Sequence, residues 1–434
     1  MNNPDQLRLL LGQLEQTQWR SSKDIQDWQL LRAHAVASFA AEQVPYYATL
    51  RPLLSSRPMI AEEWQALPLT TRSDIQLQDE QMLARQIPAD QQPLGEVKTS
   101  GSTGSPLRAI ATASTRLHWL ANSMRDHLWH QRDFSGRLAA IRYVAKKGAM
   151  YPEGKVSTSW GIPASLLFKT GPGMSLNIQC DISQQIEWLR RQQPHYLLTY
   201  PSNAAELSLA LAQPGKRVES LKELRLFGEV AEQELRGQCA ERMGIPVTDM
   251  YSANEVGYIA LQCREHGRYH IQAESLLVEI INEQGCQCEP GEIGRVVITT
   301  LQNFAMPLIR YSNGDYAVPG TPCPCGRGLP VIERILGRSR NMLTLPSGEK
   351  RWPSFGSSGF REVAPVLQCQ LIQHSTGRLE LRLVVERELV AEEEQKLRTK
   401  VLDALGQPFQ IDISYHQQIE RSPTWKFEEF KSLL

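Results

Sequence analysis

The chain has 434 residues, a length that calls for two or three domains and excludes a single small binding module. Its 47 basic and 47 acidic side chains give a formal net charge of zero, so the composition predicts no nucleic-acid partner. Hydrophobic residues make up 41% of the chain, which excludes intrinsic disorder and is enough to fill a sizeable core.

The sequence contains neither a run of about 18 apolar residues that could span a membrane nor an amino-terminal stretch apolar enough for a secretory signal. We therefore expect a cytoplasmic protein without a membrane partner. In such a reducing compartment, the eight cysteines are expected to be metal ligands where they cluster and packing residues where they stand alone.

Hydrophobic periodicity predicts the first elements of the chain. Apolar residues at helical spacing indicate an amphipathic helix over residues 22–43. Between residues 137 and 257, short β-rich runs alternate with helical stretches. Residues 224–230 are typical of a buried strand, residues 231–244 of a helix that ends at a glycine, and residues 245–252 of the next strand. This alternation predicts a layered α/β domain.

The carboxyl-terminal part of the chain carries two further β-rich regions. Residues 269–285 and 292–301 are β-runs separated by turn residues, and they indicate antiparallel strands. After a predicted linker over residues 337–348, the tail carries a hairpin, a charged helix and a further strand over residues 368–386, 390–406 and 408–416. These elements predict a compact α+β unit at the end of the chain.

A short segment rich in glycine and hydroxyl side chains precedes the α/β region: Thr99-Ser100-Gly101-Ser102-Thr103-Gly104-Ser105-Pro106. Glycine lets the backbone approach a ligand closely, while hydroxyl and N–H groups donate to phosphate oxygens. The segment lacks the terminal Gly-Lys-Ser/Thr of a P-loop. Taken alone, it is compatible with a polyphosphate-binding loop and equally with a flexible Ser/Gly loop.

Five further motifs follow this segment. They are Phe227-Gly228-Glu229-Val230, Asp249-Met250-Tyr251-Ser252-Ala253-Asn254-Glu255, Pro307-Leu308-Ile309-Arg310-Tyr311-Ser312-Asn313-Gly314-Asp315, Ile335-Leu336-Gly337-Arg338-Ser339-Arg340 and Trp425-Lys426-Phe427. In that order and at those intervals, the six motifs resemble the core motifs of the adenylate-forming superfamily of acyl-CoA synthetases and adenylation domains.

Three other segments resemble one branch of that superfamily. They are Val44-Pro45-Tyr46-Tyr47, Leu67-Pro68-Leu69-Thr70-Thr71-Arg72-Ser73-Asp74-Ile75 and the Cys-Pro-Cys-Gly-Arg run over residues 323–327. These look like the phenylacetate-CoA ligase branch and its capsule-biosynthesis-like relatives. The resemblance implies an α/β adenylate-forming architecture with a large adenylating (AMP-binding) domain over residues 1–336 and a small mobile α+β lid over residues 337–434. It also implies a homodimer.

The resemblance assigns nucleotide-binding roles residue by residue. The phosphates of ATP are assigned to Thr99, Ser100, Gly101, Ser102, Thr103 and Gly104. The adenine is assigned to Gly228, Glu229 and Tyr251, with Ser252 beside the acyl group, where the superfamily usually has glycine. Asp315 is assigned to the ribose, because a carboxylate accepts hydrogen bonds from two hydroxyls at once. Arg338 is assigned to a nucleotide contact at the hinge.

Two residues are assigned to catalysis by the same resemblance. Glu255 corresponds to the acid that holds Mg²⁺, a hard cation that prefers oxygen ligands. Lys426 corresponds to a mobile lysine whose ammonium stabilises the charge that moves between the carboxylate and the α-phosphate. Taken alone, a tail lysine is more often a solvated surface residue. The hinge departs from the family, since Arg340-Asn341 replaces its usual pair of acids.

The implied reaction is the ATP-dependent activation of a carboxylic acid, aryl or arylacetic by resemblance, to an acyl-adenylate with release of pyrophosphate. Transfer to the thiol of coenzyme A follows, which makes the chain an AMP-forming acid–thiol ligase. The alternatives are an enzyme that loads a carrier protein or an amine, AMP transfer to a hydroxyl, and a nucleotide-binding scaffold without turnover.

A second group of residues has the composition of a zinc site. Cys263-x-x-His266 and Cys323-x-Cys325 together supply three thiolates and one imidazole, which can close a tetrahedral site. Because all four ligands come from the protein, such a zinc ion is structural. The alternative is that these residues only pack and that the cysteines are free thiols.

Overall fold

The computed structural model of the chain describes residues 3–98, 107–338, 341–353 and 357–434. It divides into two compact units, Met1–Ile335 and Leu336–Leu434. None of the helices in the described part of the chain is both long enough and apolar enough to cross a membrane.

Two helices open the first unit, α1 (Pro4–Thr17) and α2 (Ser22–Gln43). Each begins at a polar cap, because the side chains of Asn3 and Ser21 accept hydrogen bonds from backbone N–H groups of the first turn. The helix expected over residues 22–43 is confirmed as α2. It ends at Val44 because the residue before a proline disfavours the helical conformation.

The other helices described in the first unit are α3 (Ala61–Gln65), α4 (Arg72–Leu77), α5 (Ala113–Trp129), α6 (Ala164–Leu167), α7 (Ile182–Gln192), α8 (Pro201–Leu211) and α9 (Gln233–Met243). Short 3₁₀ helices span Pro45–Leu53, Asp79–Met82, Ala89–Gln91 and Ala145–Lys147.

The strands described in the first unit come in two groups. The first group is β1 (Thr70–Thr71), β2 (Gly95–Lys98), β3 (Arg108–Ala111), β4 (Leu138–Arg142), β5 (Lys155–Ser157), β6 (Gly173–Asn177), β7 (Tyr196–Thr199) and β8 (Glu223–Phe227). The second is β9 (Val247–Ala253), β10 (Gly257–Gln262), β11 (Tyr269–Ile271), β12 (Leu276–Ile281), β13 (Gly294–Thr300), β14 (Tyr311–Pro319) and β15 (Val331–Arg338), which continues past the unit boundary.

One large sheet organises the first unit. Its strand order is β12-β13-β14-β15-β11-β10-β9-β8-β7-β4-β6-β5, and β1 pairs in parallel with β14. The run β9-β8-β7-β4-β6 is parallel and alternates along the chain with α7, α8 and α9, so the layered α/β region is confirmed. The pairs β12/β13 and β13/β14 are antiparallel, as the β-runs after residue 269 predicted.

One core cluster of the first unit lies between α2 and the antiparallel strands. Ala33, Ala37 and Ala40 of α2 are fully buried in the same cluster as Ile298 and Tyr311. Small residues on one helical face let the helix approach the sheet closely. The buried Gln29 of α2 donates from Nε2 to the carbonyls of Ala273 and Leu276 at 3.1 and 2.7 Å, which satisfies its amide and fixes α2 against the start of β12.

The second unit has its own sheet and core. Its elements are β16 (Leu343–Thr344), β17 (Lys350–Arg351), β18 (Val366–Ser375), β19 (Arg378–Val385), α10 (Ala391–Leu405), β20 (Gln410–Tyr415) and β21 (Phe430–Ser432). The strand order is β20-β19-β18-β21, with β18 and β19 forming the expected hairpin. The expected linker over residues 337–348 contains the end of β15 and all of β16, which pairs with β17.

Candidate active site

Two of the residues assigned to the nucleotide, Tyr251 and Asp315, are in direct contact. Tyr251 lies on β9, and its hydroxyl donates to Oδ2 of Asp315 on β14 at 2.7 Å. Nδ2 of Asn313 donates to the same Oδ2 at 2.8 Å and to the Tyr251 hydroxyl oxygen at 3.0 Å. Two donors on one oxygen fix the orientation of the Asp315 carboxylate. A carboxylate held in this way is suited to accept hydrogen bonds from a vicinal diol.

Glu255 is attached to the same strand by a second tyrosine. It lies in the turn between β9 and β10, and its Oε1 accepts a 3.2 Å hydrogen bond from the hydroxyl of Tyr311, the first residue of β14. Burial and the charge of Glu255 raise the pKa of Tyr311, so this hydroxyl stays protonated and donates. The half-buried carboxylate of Glu255 retains a second oxygen, and carboxylate oxygens are the ligands that Mg²⁺ prefers.

The loop that carries Gly228 and Glu229 follows β8, beside β9. The pairing of Phe227 with Met250 places Gly228 alongside Tyr251. Gly228 has a φ of +80°, a conformation that glycine adopts without steric cost. Glu229 accepts from the backbone N–H of Ser202 at 2.9 Å and from its hydroxyl at 3.1 Å, so its carboxylate lies at the positive end of α8. These contacts fix the loop that was assigned to the adenine.

The other assigned residues lie elsewhere. Ser252 follows Tyr251 on β9 and pairs with Tyr258 of β10. The segment assigned to the ATP phosphates, Thr99 to Gly104, lies outside the described residues. Arg338 ends β15 and belongs to the second unit.

Lys426 also belongs to the second unit, in the loop between β20 and β21. The backbone N–H of Lys426 donates to Oγ of Ser422 at 2.9 Å, and its carbonyl accepts from the Ser422 N–H at 3.0 Å. These two bonds close a tight turn, in which Trp425 has a φ of +67°. The turn presents Lys426 on a fixed backbone.

The branch-specific segments near the amino terminus contact the start of β14 and the residues just before it. The hydroxyl of Tyr47 is within 3.1 Å of Oγ1 of Thr70 and accepts from the backbone N–H of Ile309 at 3.1 Å. Thr70 and the next residue pair in parallel with the start of β14 at Tyr311. Burial raises the pKa of Tyr47, which keeps the hydroxyl protonated. These segments therefore support the strand that carries Asp315.

Arg310 forms a buried ion pair and also contacts one of these segments. Its side chain is 3% exposed and forms a 3.0 Å salt bridge with Glu279 of β12. It also donates to the carbonyls of Gln65 and of Leu67, the first residue of the branch-specific segment. The residue has a φ of 45°, an uncommon conformation for a side chain other than glycine. Neither this residue nor Tyr311 or Asn313 was assigned a role from the sequence, although all three lie in a recognised motif.

A cluster of sulfur and imidazole groups lies in the first unit, formed by Cys263, His270, Cys323 and Cys325. Their ligand atoms all lie within 4.8 Å of one another. The sulfurs of Cys323 and Cys263 are 3.9 Å apart, and the Cys325 sulfur lies 3.3 Å from Nε2 of His270. Three cysteines and one histidine that converge in this way fit the donor set of tetrahedral zinc.

The structure does not bring His266, the expected fourth ligand, to this cluster. Backbone hydrogen bonds of Cys263 with Gly267 and Arg268 close a turn, and His266 lies in that turn with a side chain that is 37% exposed. The chain then returns as β11, whose pairing with β10 brings the fully buried His270 to the cysteines. The histidine that the structure brings to the cysteines therefore lies four residues later in the sequence than the one that the spacing suggested.

Burial shifts the pKa values of two members of this cluster, His270 and Cys323. It lowers the pKa of His270 to about 4, with a further contribution from the nearby Arg327, so the imidazole is neutral and can ligate a metal. Burial raises the pKa of Cys323 to about 12, so a thiolate there needs a cation. Cys286 and Cys288 are also close together in the sequence, but they are not part of this cluster. Cys286 is exposed, and Cys288 packs in the core cluster that contains α2.

No family model matches the chain. Among curated proteins, the phenylacetate-coenzyme A ligase of Pseudomonas putida is 31% identical over 170 residues, which cover 37% of this chain and 38% of that protein. The ligase of the same name from Aromatoleum evansii is 26% identical over 349 residues, covering 77% of this chain and 75% of that protein. The match to the Pseudomonas putida ligase therefore spans little more than a third of that protein's length.

Solved acyl-CoA ligases have the same architecture. A 2-hydroxyisobutyryl-CoA ligase in its postadenylation state with 2-HIB-AMP matches with a TM-score of 0.75 at 18% identity, over 96% of this chain and 91% of that one. The o-succinylbenzoate CoA synthetase of Bacillus subtilis with its acyl-adenylate intermediate matches with a TM-score of 0.53 at 16% identity, over 79% and 69%. The chain has the fold of the adenylate-forming enzymes. The expected fold class and the resemblance to phenylacetate-CoA ligases are confirmed.

Proposed function

We propose that this protein activates a carboxylic acid with ATP and transfers the acyl group to the thiol of coenzyme A. The observation that carries the proposal is a pair of carboxylates at β14. Asp315 lies on this strand and is oriented by Tyr251 and Asn313, and Glu255 is bonded to the strand through Tyr311. One carboxylate oriented for a ribose and a second one available to a divalent cation are what an adenylating site requires.

The related proteins support the same reaction class. The sequence relatives are phenylacetate-coenzyme A ligases, and 2-hydroxyisobutyryl-CoA ligase has been solved with 2-HIB-AMP and CoA in its thioesterification state. We therefore propose an aryl or arylacetic acid as substrate and coenzyme A as acceptor. The reducing cytoplasm is the proposed location, and none of the eight cysteines forms a disulfide.

The chemistry has two steps. In the first, a carboxylate oxygen of the acid attacks the α-phosphorus of ATP, the bond from that phosphorus to pyrophosphate breaks, and the acyl-adenylate forms. In the second, the thiol loses its proton and its sulfur attacks the acyl carbonyl carbon. The bond to the AMP oxygen then breaks and leaves a thioester.

The proposed roles are those that the resemblance implies, and each suits the chemistry of its side chain. Asp315 holds the ribose, and the loop at Gly228 and Glu229 borders the adenine. Glu255 holds Mg²⁺, which neutralises charge on the phosphate oxygens. Lys426 supplies an ammonium to the carboxylate and the α-phosphate, and the unit that carries it acts as a lid that excludes water from the acyl-adenylate.

We also propose that Cys263, His270, Cys323 and Cys325 hold a structural zinc ion. The convergence of their ligand atoms, the burial of the cluster and the neutral imidazole support this assignment. With four protein ligands the site has no open position for a substrate, so the ion contributes to folding rather than to catalysis.

The experiment that tests the function is carboxylate-dependent ATP–pyrophosphate exchange over a panel of aryl, arylacetic, fatty and amino acids. Exchange with one acid class, followed by AMP release that depends on coenzyme A, is the expected result. If exchange occurs but AMP release requires a carrier protein or an amine, that molecule replaces coenzyme A as the acceptor. Folded, metal-loaded protein that shows no exchange with any acid would overturn the proposal in favour of AMP transfer to a hydroxyl or a scaffold without turnover.

The same material gives the oligomeric state. A homodimer is the proposed form, and light scattering of the purified protein measures its mass directly. A monomeric mass in solution would reject that part of the proposal.

A further inference from the structure

The parallel part of the sheet contains a topological switch point. The chain runs from β4 to β6 on one side of it and then crosses back to β7 on the other side, so β4 lies between β6 and β7. With β8 and β9 next in line, the order is that of a doubly wound sheet. In such sheets, ligands bind in the crevice outside the carboxyl ends of the strands at the switch point. Here that crevice is bounded by the ends of β4 and β7.

The segment that leaves β4 at this point is strongly basic. Residues 142–150 read Arg-Tyr-Val-Ala-Lys-Lys-Gly-Ala-Met, with three cations and no acid. Arg142, Lys146 and Lys147 are all exposed. Neither lysine has a salt-bridge partner among the residues that the structure describes. The charge is therefore available to an anionic ligand.

The basic segment has a strained backbone conformation that hydrogen bonds maintain. Lys146, Lys147 and Ala149 have φ values of 55°, 50° and 54°, which are uncommon for side chains other than glycine. The fully buried Asn177 at the end of β6 maintains this shape: Nδ2 donates to the carbonyls of Val144 and Gly148 at 2.8 and 3.0 Å. Backbone strain that neighbouring groups enforce in this way is concentrated at functional sites.

The crevice lies next to the candidate nucleotide site. Tyr200 follows β7, and its ring packs against Phe227 at the end of β8, with 4.8 Å between ring centroids. The parallel pairing of Ile141 with Thr199 places Arg142 alongside Tyr200. Glu229 accepts hydrogen bonds from Ser202, two residues after Tyr200. The basic segment and the loop assigned to the adenine therefore border the same tyrosine.

We propose that Arg142, Lys146 and Lys147 bind the phosphate groups of the incoming coenzyme A. This inference rests on the proposed function, in which the acyl-adenylate stays in place while a second substrate approaches it. The phosphates of ATP are already assigned to another segment, and pyrophosphate has left before the thiol enters. Coenzyme A brings a diphosphate and a 3′-phosphate on a long thiol-bearing arm, so an exposed basic loop beside the site suits its anionic end.

The test compares the double variant Lys146→Gln/Lys147→Gln and the single variant Arg142→Gln with wild type. The matched control is Lys169→Gln. Lys169 is an exposed lysine that precedes the amino end of β6, whereas the basic segment follows the carboxyl end of β4. Two readouts are used: equilibrium dialysis of coenzyme A against the protein, and the KM values for coenzyme A, dephospho-coenzyme A and ATP.

The double variant should weaken coenzyme A binding about tenfold, as expected for the loss of two partly exposed ion pairs. The KM for ATP and the exchange rate should stay within about twofold of wild type, as should all values for Lys169→Gln. The preference of the wild type for coenzyme A over the dephospho form should shrink in the variants. Unchanged coenzyme A affinity with intact exchange would overturn this inference and leave the proposed function standing.

Other outcomes separate the two proposals further. Wild-type protein that lacks exchange with every acid but binds coenzyme A through these lysines would reject the proposed function and keep the basic site. Wild-type protein that exchanges but does not bind free coenzyme A would overturn the inference and point to a carrier-protein thiol as the acceptor.

Discussion

The hydroxyl of Tyr251 donates a 2.7 Å hydrogen bond to Oδ2 of Asp315, and this contact joins β9 to β14 across the sheet. The two strands are not neighbours, so the side chains bridge a gap that no backbone pairing closes. The bond has one further support, because Asn313 donates to both oxygen atoms. The orientation of Asp315 therefore depends on residues from two different motifs.

Replacing Tyr251 by phenylalanine should lower kcat/KM for ATP about tenfold, because a hydrogen bond to a charged group contributes about 1.5–3 kcal/mol and Asn313 still holds the carboxylate. Asp315→Asn should lower kcat/KM for ATP by a larger factor, since the ribose then loses its charged acceptor. The measurement is ATP–pyrophosphate exchange at varied ATP. Tyr316→Phe on the same strand is the control, and equal effects of the two tyrosine variants would contradict the assigned contact.

The zinc assignment predicts different outcomes for two nearby histidines. His270→Ala should lose the metal and melt at a lower temperature, because it removes one of four ligands from a buried cluster. His266→Ala should keep about one equivalent of zinc and the wild-type melting temperature, since His266 lies outside the cluster. Elemental analysis and thermal unfolding measure both. Metal-free wild type with unchanged melting would reject the zinc site altogether.

The contrast between these histidines shows what sequence spacing can and cannot predict. Spacing identified the three cysteines, because Cys323 and Cys325 are close in the sequence as well as in space and Cys263 begins a Cys-x-x-His pattern. It could not identify His270, because that residue reaches the cluster through the register of β11 on β10, where His270 pairs with Leu261. A histidine within an apolar β-run was the only signal available.

The fold itself was largely predictable, since motif order and the alternation of strands and helices both indicated it. The contacts of Tyr311 with Glu255 and of Asn313 with Tyr251 were not, because each joins residues more than 50 positions apart in the sequence. The segment from Thr99 to Gly104 lies outside the described residues, so its assignment to the ATP phosphates stays a prediction.

Lys426 should be required for adenylation. Lys426→Ala is expected to lower the exchange rate by about 10²–10³, the usual cost of removing a preorganised charge from a developing transition state. Lys396→Ala is the matched control in the same unit, because Lys396 forms only an exposed ion pair with Glu392. Exchange at the wild-type rate in Lys426→Ala, with the fold intact by circular dichroism, would exclude the catalytic role.

Arg310 should be essential for the stability of the first unit. Arg310→Ala leaves the buried carboxylate of Glu279 with Trp64 as its remaining hydrogen-bond donor, together with unpaired carbonyls at Gln65 and Leu67. Breaking one partner of a buried ion pair costs about 3–5 kcal/mol. Urea unfolding measures this cost.

The control for this prediction is Arg378→Ala, which removes an exposed ion pair with Asp412. Pairs of that kind contribute about 0–1 kcal/mol. Similar unfolding midpoints for the two variants would show that the Arg310 contacts do not stabilise the first unit as proposed.

Asp249 should make stability depend on pH. Its carboxyl is buried beside Tyr269, whose hydroxyl donates to Oδ2 at 2.6 Å, while Oδ1 has no hydrogen-bond partner in the described part of the chain. Burial raises the pKa of Asp249 to about 7, against an ordinary value of about 3.9 in the unfolded chain. Between these values the folded state binds a proton that the unfolded state releases, so the contribution of Asp249 to stability falls as the pH rises.

Asp249→Asn removes this titration. The variant should therefore gain stability relative to wild type between about pH 4 and about pH 7, by at most about 1.4 kcal/mol per pH unit, and the difference should stay constant above that range. Urea unfolding of both proteins at several pH values gives the difference directly, and titrations common to the two proteins cancel in it. Parallel stability curves over the whole range would show that Asp249 keeps an ordinary pKa in the folded protein.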